Sequence, residues 1–292
     1  MTAETTTEPL TAALTAPRPR LDRRSHIATA AIVDIALAGQ VAAASYVAPV
    51  PMHCAAAQTP MRGDASADAT AVSELLCGEA FDLFDSVGDW GFGRSAHDRY
   101  TGWVALNALR DGPTTATQMV TAPVAPLFSR PDIKAPVMAD LPFGARVSGI
   151  DAGKFLAVTG GGYLHHRHLA PPPATPLAVA RLFNGAPYVW GGRTPRGVDC
   201  SGLVQAALAA CGIACPRDSD QQREALGSAV EFADRRSGDI IFFPGHVGIL
   251  IDADTLLHAN AHWMAVVSEP LADVIARLAD TPQPVTGVRR IG

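Results

Sequence analysis

From about Val50 to Leu169 the chain runs in short β-type segments broken by Gly, Pro and Asp, and few architectures accept that punctuation. Leu75-Leu76, Ala80 to Phe84, Asp89 to Arg94, Tyr100 to Val104 and Ala108-Leu109 follow one another at a spacing of about ten residues, which indicates a small barrel. A second set opens with Ala125-Pro126-Leu127-Phe128, contains Gly144-Ala145-Arg146-Val147 and closes with Gly162 to Leu169. The closing runs Tyr100-Thr-Gly-Trp-Val104 and Gly161-Gly-Tyr-Leu164 are loosely alike, so the two sets read as a divergent tandem repeat. Pro171-Pro172-Pro173 and Pro176 then mark a linker before the last third.

A length of 292 residues is consistent with two or three domains. With 48% hydrophobic and 17% charged residues, the chain has material for several packed cores. Lys and Arg number 23 against 28 Asp and Glu, a net charge of -5, so there is no basic footprint for nucleic acid or an anionic membrane. The five cysteines, Cys54, Cys77, Cys200, Cys211 and Cys215, form neither a disulfide framework nor a zinc pattern and suit a reducing compartment. Arg18, Arg20, Arg23 and Arg24 precede an apolar run from Ile27 to Val50, the outline of an export signal with Ala42-Ala43-Ala44-Ser45 as a cleavage site. Asp34 and Gln40 interrupt that run, and Asp34 would be costly in a translocating segment. The expectation is therefore a folded helical element, with Ile27, Ala31, Val33, Ile35, Leu37 and Val41 on its faces, in a cytoplasmic protein; export to the periplasm or cell wall is the alternative.

The chemistry concentrates in the last third. A helix from Leu177 to Phe183 precedes Tyr188-Val-Trp-Gly-Gly-Arg193 and Gly197-Val-Asp-Cys-Ser-Gly202. From Ser201 on, Leu203, Val204, Ala207, Leu208 and Cys211 recur at helical spacing, so Cys200 begins a helix. At that end, free backbone N–H groups and the helix dipole favour a thiolate. Gly212 and Pro216 end the helix near Cys211. Gly238 to Phe243, His246 to Asp252 and Leu256 to Asn260 read as three strands of one antiparallel sheet, with His246 and His258 on neighbouring strands. A cysteine-bearing helix packed on that sheet gives the nucleophile, base and orienting group of a thiol hydrolase. The cluster of His165, His166 and His168 lacks a nearby acidic or thiol partner and reads as a polar strand end or domain contact, with no metal assigned.

Together, Tyr188-Val-Trp-Gly-Gly-Arg193, Asp199-Cys-Ser-Gly-Leu203, Pro216-Arg-Asp-Ser-Asp-Gln-Gln222, Ser237-Gly-Asp-Ile240, Gly245-His-Val-Gly248 and Leu257-His-Ala-Asn260 resemble the NlpC family of bacterial cell-wall cysteine peptidases. The resemblance covers about Leu177 to Ile291 and implies an α+β, papain-like catalytic domain. It implies Cys200 as nucleophile, His246 as general base and acid, His258 as the group that orients the base, and Tyr188 beside the oxyanion site, with no cofactor and no metal. The segments before it resemble bacterial SH3-like barrels. The expected organisation is a flexible tail at 1–20, a short helical lead-in at 21–58, barrels at 59–112 and 113–170, a linker at 171–176 and the peptidase domain at 177–292.

That arrangement is similar to the γ-D-glutamyl-L-diamino-acid endopeptidase branch, which recycles murein peptides bearing a free N-terminal L-alanine. The resemblance implies that Asp199 meets the substrate ammonium, the competing reading being a helix cap; Ser201 and Tyr100 are further candidates for holding the peptide. The partner class is then murein peptides, L-Ala-γ-D-Glu-diamino acid, with neither nucleic acid nor membrane. Arg217, Asp218, Asp220 and Gln221 read equally as a loop clamp or as substrate contacts, and His262 and Trp263 as residues lining the site. The competing functions are a secreted D,L-endopeptidase acting on intact wall, a non-catalytic murein-peptide-binding protein and an acyltransferase on the same framework.

Overall fold

The computed structural model describes residues 21–278 and 281–292, so the tail expected at 1–20 lies outside the described residues. Seven strands, Val50–Cys54, Gln58–Arg62, Ala71–Leu76, Ala80–Val87, Trp90–Ser95, Thr101–Ala105 and Leu109–Asp111, form one curled antiparallel sheet. Their alternation turns Met52, Met61, Leu75, Phe81 and Val104 into a common core. The second unit has five strands, Val124–Phe128, Val137–Pro142, Gly149–Ala152, Phe155–Val158 and Tyr163–His165, closed over Val120, Ala125, Leu141, Leu156 and Leu164.

The lead-in departs from expectation. It holds one 3-10 turn, Ile35–Leu37, between the two-residue strands Val33–Asp34 and Tyr46–Val47, which pair in parallel. Ile27, Val33 and Leu37 are buried, but Ile35 is 52% exposed, so the apolar residues do not share a helix face. The reason lies at Asp34. Its carboxylate is buried against Arg94 of the first barrel at 2.9 Å, and it also caps the 3-10 turn through the Ala36 N–H. Paired charge and cap outweigh a helical pattern that β-branched Ile32, Val33 and Ile35 already weaken. The first barrel likewise begins at Val50, not at 59, because Val50–Cys54 pairs with both Ala80–Leu83 and Leu109–Asp111. Pro176, assigned to the linker, is instead the first residue of a helix capped by Thr175.

The C-terminal domain is built from helices α1 (Pro176–Ala180), α2 (Cys200–Ala210), α3 (Ser219–Ala225) and α4 (Leu271–Arg277). Its sheet contains β1 (Ile240–Phe243), β2 (His246–Leu250), β3 (Thr255–Asn260), β4 (Ala265–Pro270) and β5 (Gly287–Arg290). The order is Ser228–Ala229, β5, β1, β2, β3, β4, antiparallel throughout. Helix α2 is the centre of this core: Leu203, Val204, Ala207 and Leu208 are fully buried against Val247, Ile249, Leu257 and Ala259. It ends at Ala210, and Gly212 takes φ +75° just beyond it.

The first barrel docks on the loop that leads into α2 through buried charge. Glu79 receives both Nη groups of Arg193 at 3.0 Å, while Arg193 Nε donates to Gln205 on α2. Ser73, on the Ala71–Leu76 strand, accepts from Arg217 Nε at 3.2 Å. The second barrel adds the more exposed pair Asp140–Arg196 at 3.0 Å. Because Arg193 and Glu79 are both almost wholly buried, removing one strands the other's charge. Glu79→Ala is expected to cost about 3–5 kcal/mol in urea unfolding. A loss under about 1 kcal/mol, the worth of a surface pair, would contradict this docking contact's weight.

Candidate active site

Cys200 is the first residue of α2, and Asp199 is its N-cap. The Asp199 carboxylate has a full set of internal donors. Oδ1 accepts from Gly202 N–H at 2.7 Å, Arg217 Nη1 at 3.0 Å and Ser201 Oγ at 3.3 Å; Oδ2 accepts from Gly191 N–H at 2.8 Å and Arg217 Nη2 at 2.6 Å. A carboxylate offers about four lone-pair sites, so an incoming ammonium would have to displace one of these donors. Without substrate, Asp199 serves as cap and clamp, the reading that competed with a contact to the substrate amine. Ser201 is drawn into the same network, donating to Asp199 and accepting from Arg217 Nη1 at 2.9 Å. Of the Arg217 motif, Arg217 and Gln222 thus act as a clamp, Gln222 Nε2 donating to the Ser201 and Pro216 carbonyls at 2.9 Å. The glycine after Ser201 is required by contact: a Cβ on Gly202 would lie 2.2 Å from the Gly192 carbonyl oxygen.

Strand β2 brings His246 beside this helix end. The Val247 and Ser201 N–H groups point at the Cys200 sulfur and favour its anion, with Arg217 helping. Burial and the Asp199 charge act against them and win, so the thiol is pushed up to about 12. The helix end was expected to favour a thiolate; enclosure of the sulfur opposes that most, and the charge of its own cap adds to it. His246 is driven the other way. Burial lowers it to about 3, with the neighbouring His258 contributing and Glu269 opposing. Both shifts favour the neutral forms, thiol and imidazole. No hydrogen bond joins Cys200 to the His246 ring among the described residues; the two are linked through the Val247 backbone.

His246 Nε2 lies 2.7 Å from His258 Nδ1, which leaves His246 Nδ1 as the ring nitrogen available for the thiol. His258 is 1% exposed, and its Nε2 lies 2.7 Å from Glu269 Oε1 on β4. Glu269 also takes Arg277 Nη1 at 2.9 Å and Trp263 Nε1 at 3.2 Å. Trp263, expected to line the site, thus supports it from behind. Tyr188 is half-buried against the Cys200 core, and its hydroxyl is pushed up to about 12, first by burial and then by Cys200 and Asp199. It remains a proton donor at any working pH. Tyr100, from the first barrel, donates its hydroxyl to Asp218 at 3.0 Å, and Arg24 reaches the same carboxylate at 2.9 Å.

Glu269 and Glu74 were not anticipated from sequence. Glu269 is a diagonal neighbour of His258, whose direct partner on β4 is Val267, and such cross-strand proximity leaves no spacing motif. Glu74 is a half-buried carboxylate of the first barrel that accepts from the Arg193 N–H at 2.8 Å. Burial raises it, while Arg193 and Arg217 oppose and Asp199 adds repulsion. In the histidine cluster, His165 Nδ1 accepts from the Arg167 N–H at 3.2 Å and His166 faces Asp151 at 3.7 Å.

Residues 185–275 match the NlpC/P60 family, and residues 61–109 match the bacterial dipeptidyl-peptidase Sh3 domain. The C-terminal domain is an NlpC/P60 domain. The chain is 27% identical to a dipeptidyl-peptidase 6 of Lysinibacillus sphaericus over 217 residues, which is 65% of this chain and 80% of that one. It is 28% identical to a gamma-D-glutamyl-L-lysine dipeptidyl-peptidase of Bacillus subtilis over 180 residues, 55% of this chain and 60% of that one. A probable endopeptidase of Mycobacterium tuberculosis is 35% identical over 109 residues, but the chain spans only 26% of it. Among solved structures, an NlpC/P60 family protein from Bacillus cereus has the same fold, with a TM-score of 0.67, 20% identity, and coverage of 82% of this chain and 99% of that one. The NlpC/P60 domain here carries an SH3-like domain before it and belongs to the cysteine peptidases.

Since Asp199 raises the thiol, Asp199→Asn is expected to lower it and to speed alkylation of Cys200 by iodoacetamide near neutral pH. The same change leaves Arg217 with a neutral partner and should reduce stability by about 3–5 kcal/mol. Slower alkylation in a folded Asp199→Asn variant would contradict the electrostatic account.

Proposed function

We propose that this protein hydrolyses the γ-D-glutamyl-L-diamino acid bond of small murein peptides that carry a free N-terminal L-alanine, in recycling of cell-wall peptides inside the cell. The observation that carries the reading is that the first barrel is seated on the residues that clamp the start of the Cys200 helix. Ser73 contacts Arg217, Glu74 sits in the field of Asp199 and Arg217, and Tyr100 bonds Asp218. A separate domain docked this close to the start of the helix suits a short peptide better than a long strand. With Asp199 engaged by Arg217, the substrate ammonium falls to Glu74 and to the Tyr100 oxygen, which donates to Asp218 and keeps lone pairs free.

The chemistry follows from the neutral pair. As Cys200 Sγ attacks the γ-carbonyl carbon of D-glutamate, His246 Nδ1 takes the thiol proton. The carbonyl oxygen becomes an oxyanion, met by the Cys200 N–H, which has no acceptor within its helix, and by the Tyr188 hydroxyl. His246 then returns the proton to the leaving amine, and the diamino acid departs. Water gives a proton to His246 and attacks the thioester; collapse breaks the C–S bond, frees the dipeptide carboxylate and restores the thiol. The name of the Bacillus subtilis relative, a gamma-D-glutamyl-L-lysine dipeptidyl-peptidase, supports the bond class and lysine as one diamino acid.

Cys200→Ala is expected to abolish release of the diamino acid from L-Ala-γ-D-Glu-diaminopimelate and its lysine counterpart while leaving the circular dichroism unchanged; turnover by that variant would refute the nucleophile. Acetylating the alanine amine should reduce kcat/KM roughly 10–100-fold, since a hydrogen bond to a charged group is worth about 1.5–3 kcal/mol. Equal rates on free and blocked peptides would remove the amine pocket.

A further inference from the structure

The carboxylate behind the histidine pair has no part in the chemistry written above, yet it is the end of an unbroken polar chain. Glu269 Oε1 lies 2.7 Å from His258 Nε2, and His258 Nδ1 lies 2.7 Å from His246 Nε2. Two anchors hold Glu269 in place: Arg277 on α4 and the Trp263 indole N–H. Burial raises the Glu269 carboxyl, but Arg277, Trp263 and His258 hold it down at about 2, so it is an anion and can only accept. We propose that Glu269 is a positioning residue that fixes the tautomers of both histidines and thereby aims the lone pair of His246 at the Cys200 thiol. The inference rests on the hydrolase reading of Cys200 and His246.

An anionic Glu269 requires the proton of neutral His258 on Nε2. His258 Nδ1 is then a lone pair and accepts from His246 Nε2–H. His246 Nδ1 is left unprotonated, which is the state a general base needs. A competing arrangement is visible at the same nitrogen: Asn260 Nδ2 lies 2.8 Å from His258 Nε2, with Asn260 Oδ1 accepting from the Trp263 N–H. Were Nε2 to accept from Asn260, its lone pair would face a carboxylate at 2.7 Å, and the His246 proton would move to Nδ1, where it blocks the base. The charge-assisted bond to Glu269 is the stronger of the two. The charged or titratable groups that act on His246 are His258 on β3, Glu269 on β4 and Arg277 on α4, and the Phe243 ring on β1 lies 5.8 Å from its ring.

The test is a pH profile of Glu269→Gln on L-Ala-γ-D-Glu-diaminopimelate, beside Cys200→Ala. Loss of the anion should lower kcat roughly 10–100-fold with little change in KM, by analogy with other orienting groups. Glu269 supports the protonated form of His246, so its neutralisation should move the acid limb of kcat/KM to lower pH. A merely structural role predicts the opposite: a loosened site admits water and moves His246 up toward its ordinary value. An unmoved or raised acid limb would therefore overturn the inference, as would wild-type kcat. If Glu269→Gln fails to fold, imidazole 15N shifts of the wild-type protein decide the matter: a proton on His258 Nε2 supports it, and one on His258 Nδ1 overturns it. Turnover by Cys200→Ala would sink the hydrolase reading itself, whereas a dead Cys200→Ala with a normal Glu269→Gln sinks only the role of Glu269.

Discussion

The ion pair between Asp199 and Arg217 is the constraint on which the rest of the site depends. Both side chains are almost wholly buried, with the closest oxygen and nitrogen 2.6 Å apart. Asp199 caps the helix that begins with the nucleophile, and Arg217 reaches from the segment before α3 to Ser201 and to Ser73 of the first barrel. One pair thus fixes the start of the helix, the loop after it and the seat of a separate domain. A buried pair of this kind contributes modestly to net stability, but breaking it is expensive, so it sets geometry more than it adds free energy.

Burial acts first on the reactivity of the sulfur, and the two members of the pair then pull in opposite directions, Asp199 against the anion and Arg217 for it. A helix end with two N–H groups on a thiol would ordinarily stabilise its anion. Here the cap is a carboxylate adjacent to the cysteine, and the sulfur is enclosed, so the proton stays on. The histidine, enclosed as well, stays neutral. Charge separation is deferred until substrate arrives, when the proton moves during attack. A polar chain running from His246 through His258 to Glu269 then carries the orientation of the base, and its final anchors, Arg277 and Trp263, come from outside the nucleophile's motif.

Much of this was legible in the residues alone. Period-two runs from Gly238 to Asn260 placed His246 and His258 on neighbouring strands, and β2 and β3 do pair, Ile249 opposite Leu257. The helical spacing after Ser201 placed Cys200 at a helix start. Local pattern was enough because each signal lies within about ten residues. The failures are long-range. Apolar spacing from Ile27 to Val41 suits a helix, and only the buried partner Arg94, sixty positions from Asp34, makes extended backbone the better solution. The cap at Asp199 was one of its two readings, but its partner Arg217, eighteen positions on, leaves no local signal. Glu269 and Glu74 have no motif, since a cross-strand diagonal and a domain contact are products of the fold.

The most direct test of this account is a titration of the wild-type sulfur by ultraviolet thiolate absorbance, with Cys200→Ala as the baseline. The remaining cysteines contribute equally to both proteins and cancel in the difference. A neutral resting pair predicts no difference absorbance across neutral pH, and a single rise in the alkaline range toward about 12. A difference plateau already present near pH 7, falling only in acid, would mean a thiolate–imidazolium pair and would contradict the control assigned to burial and Asp199.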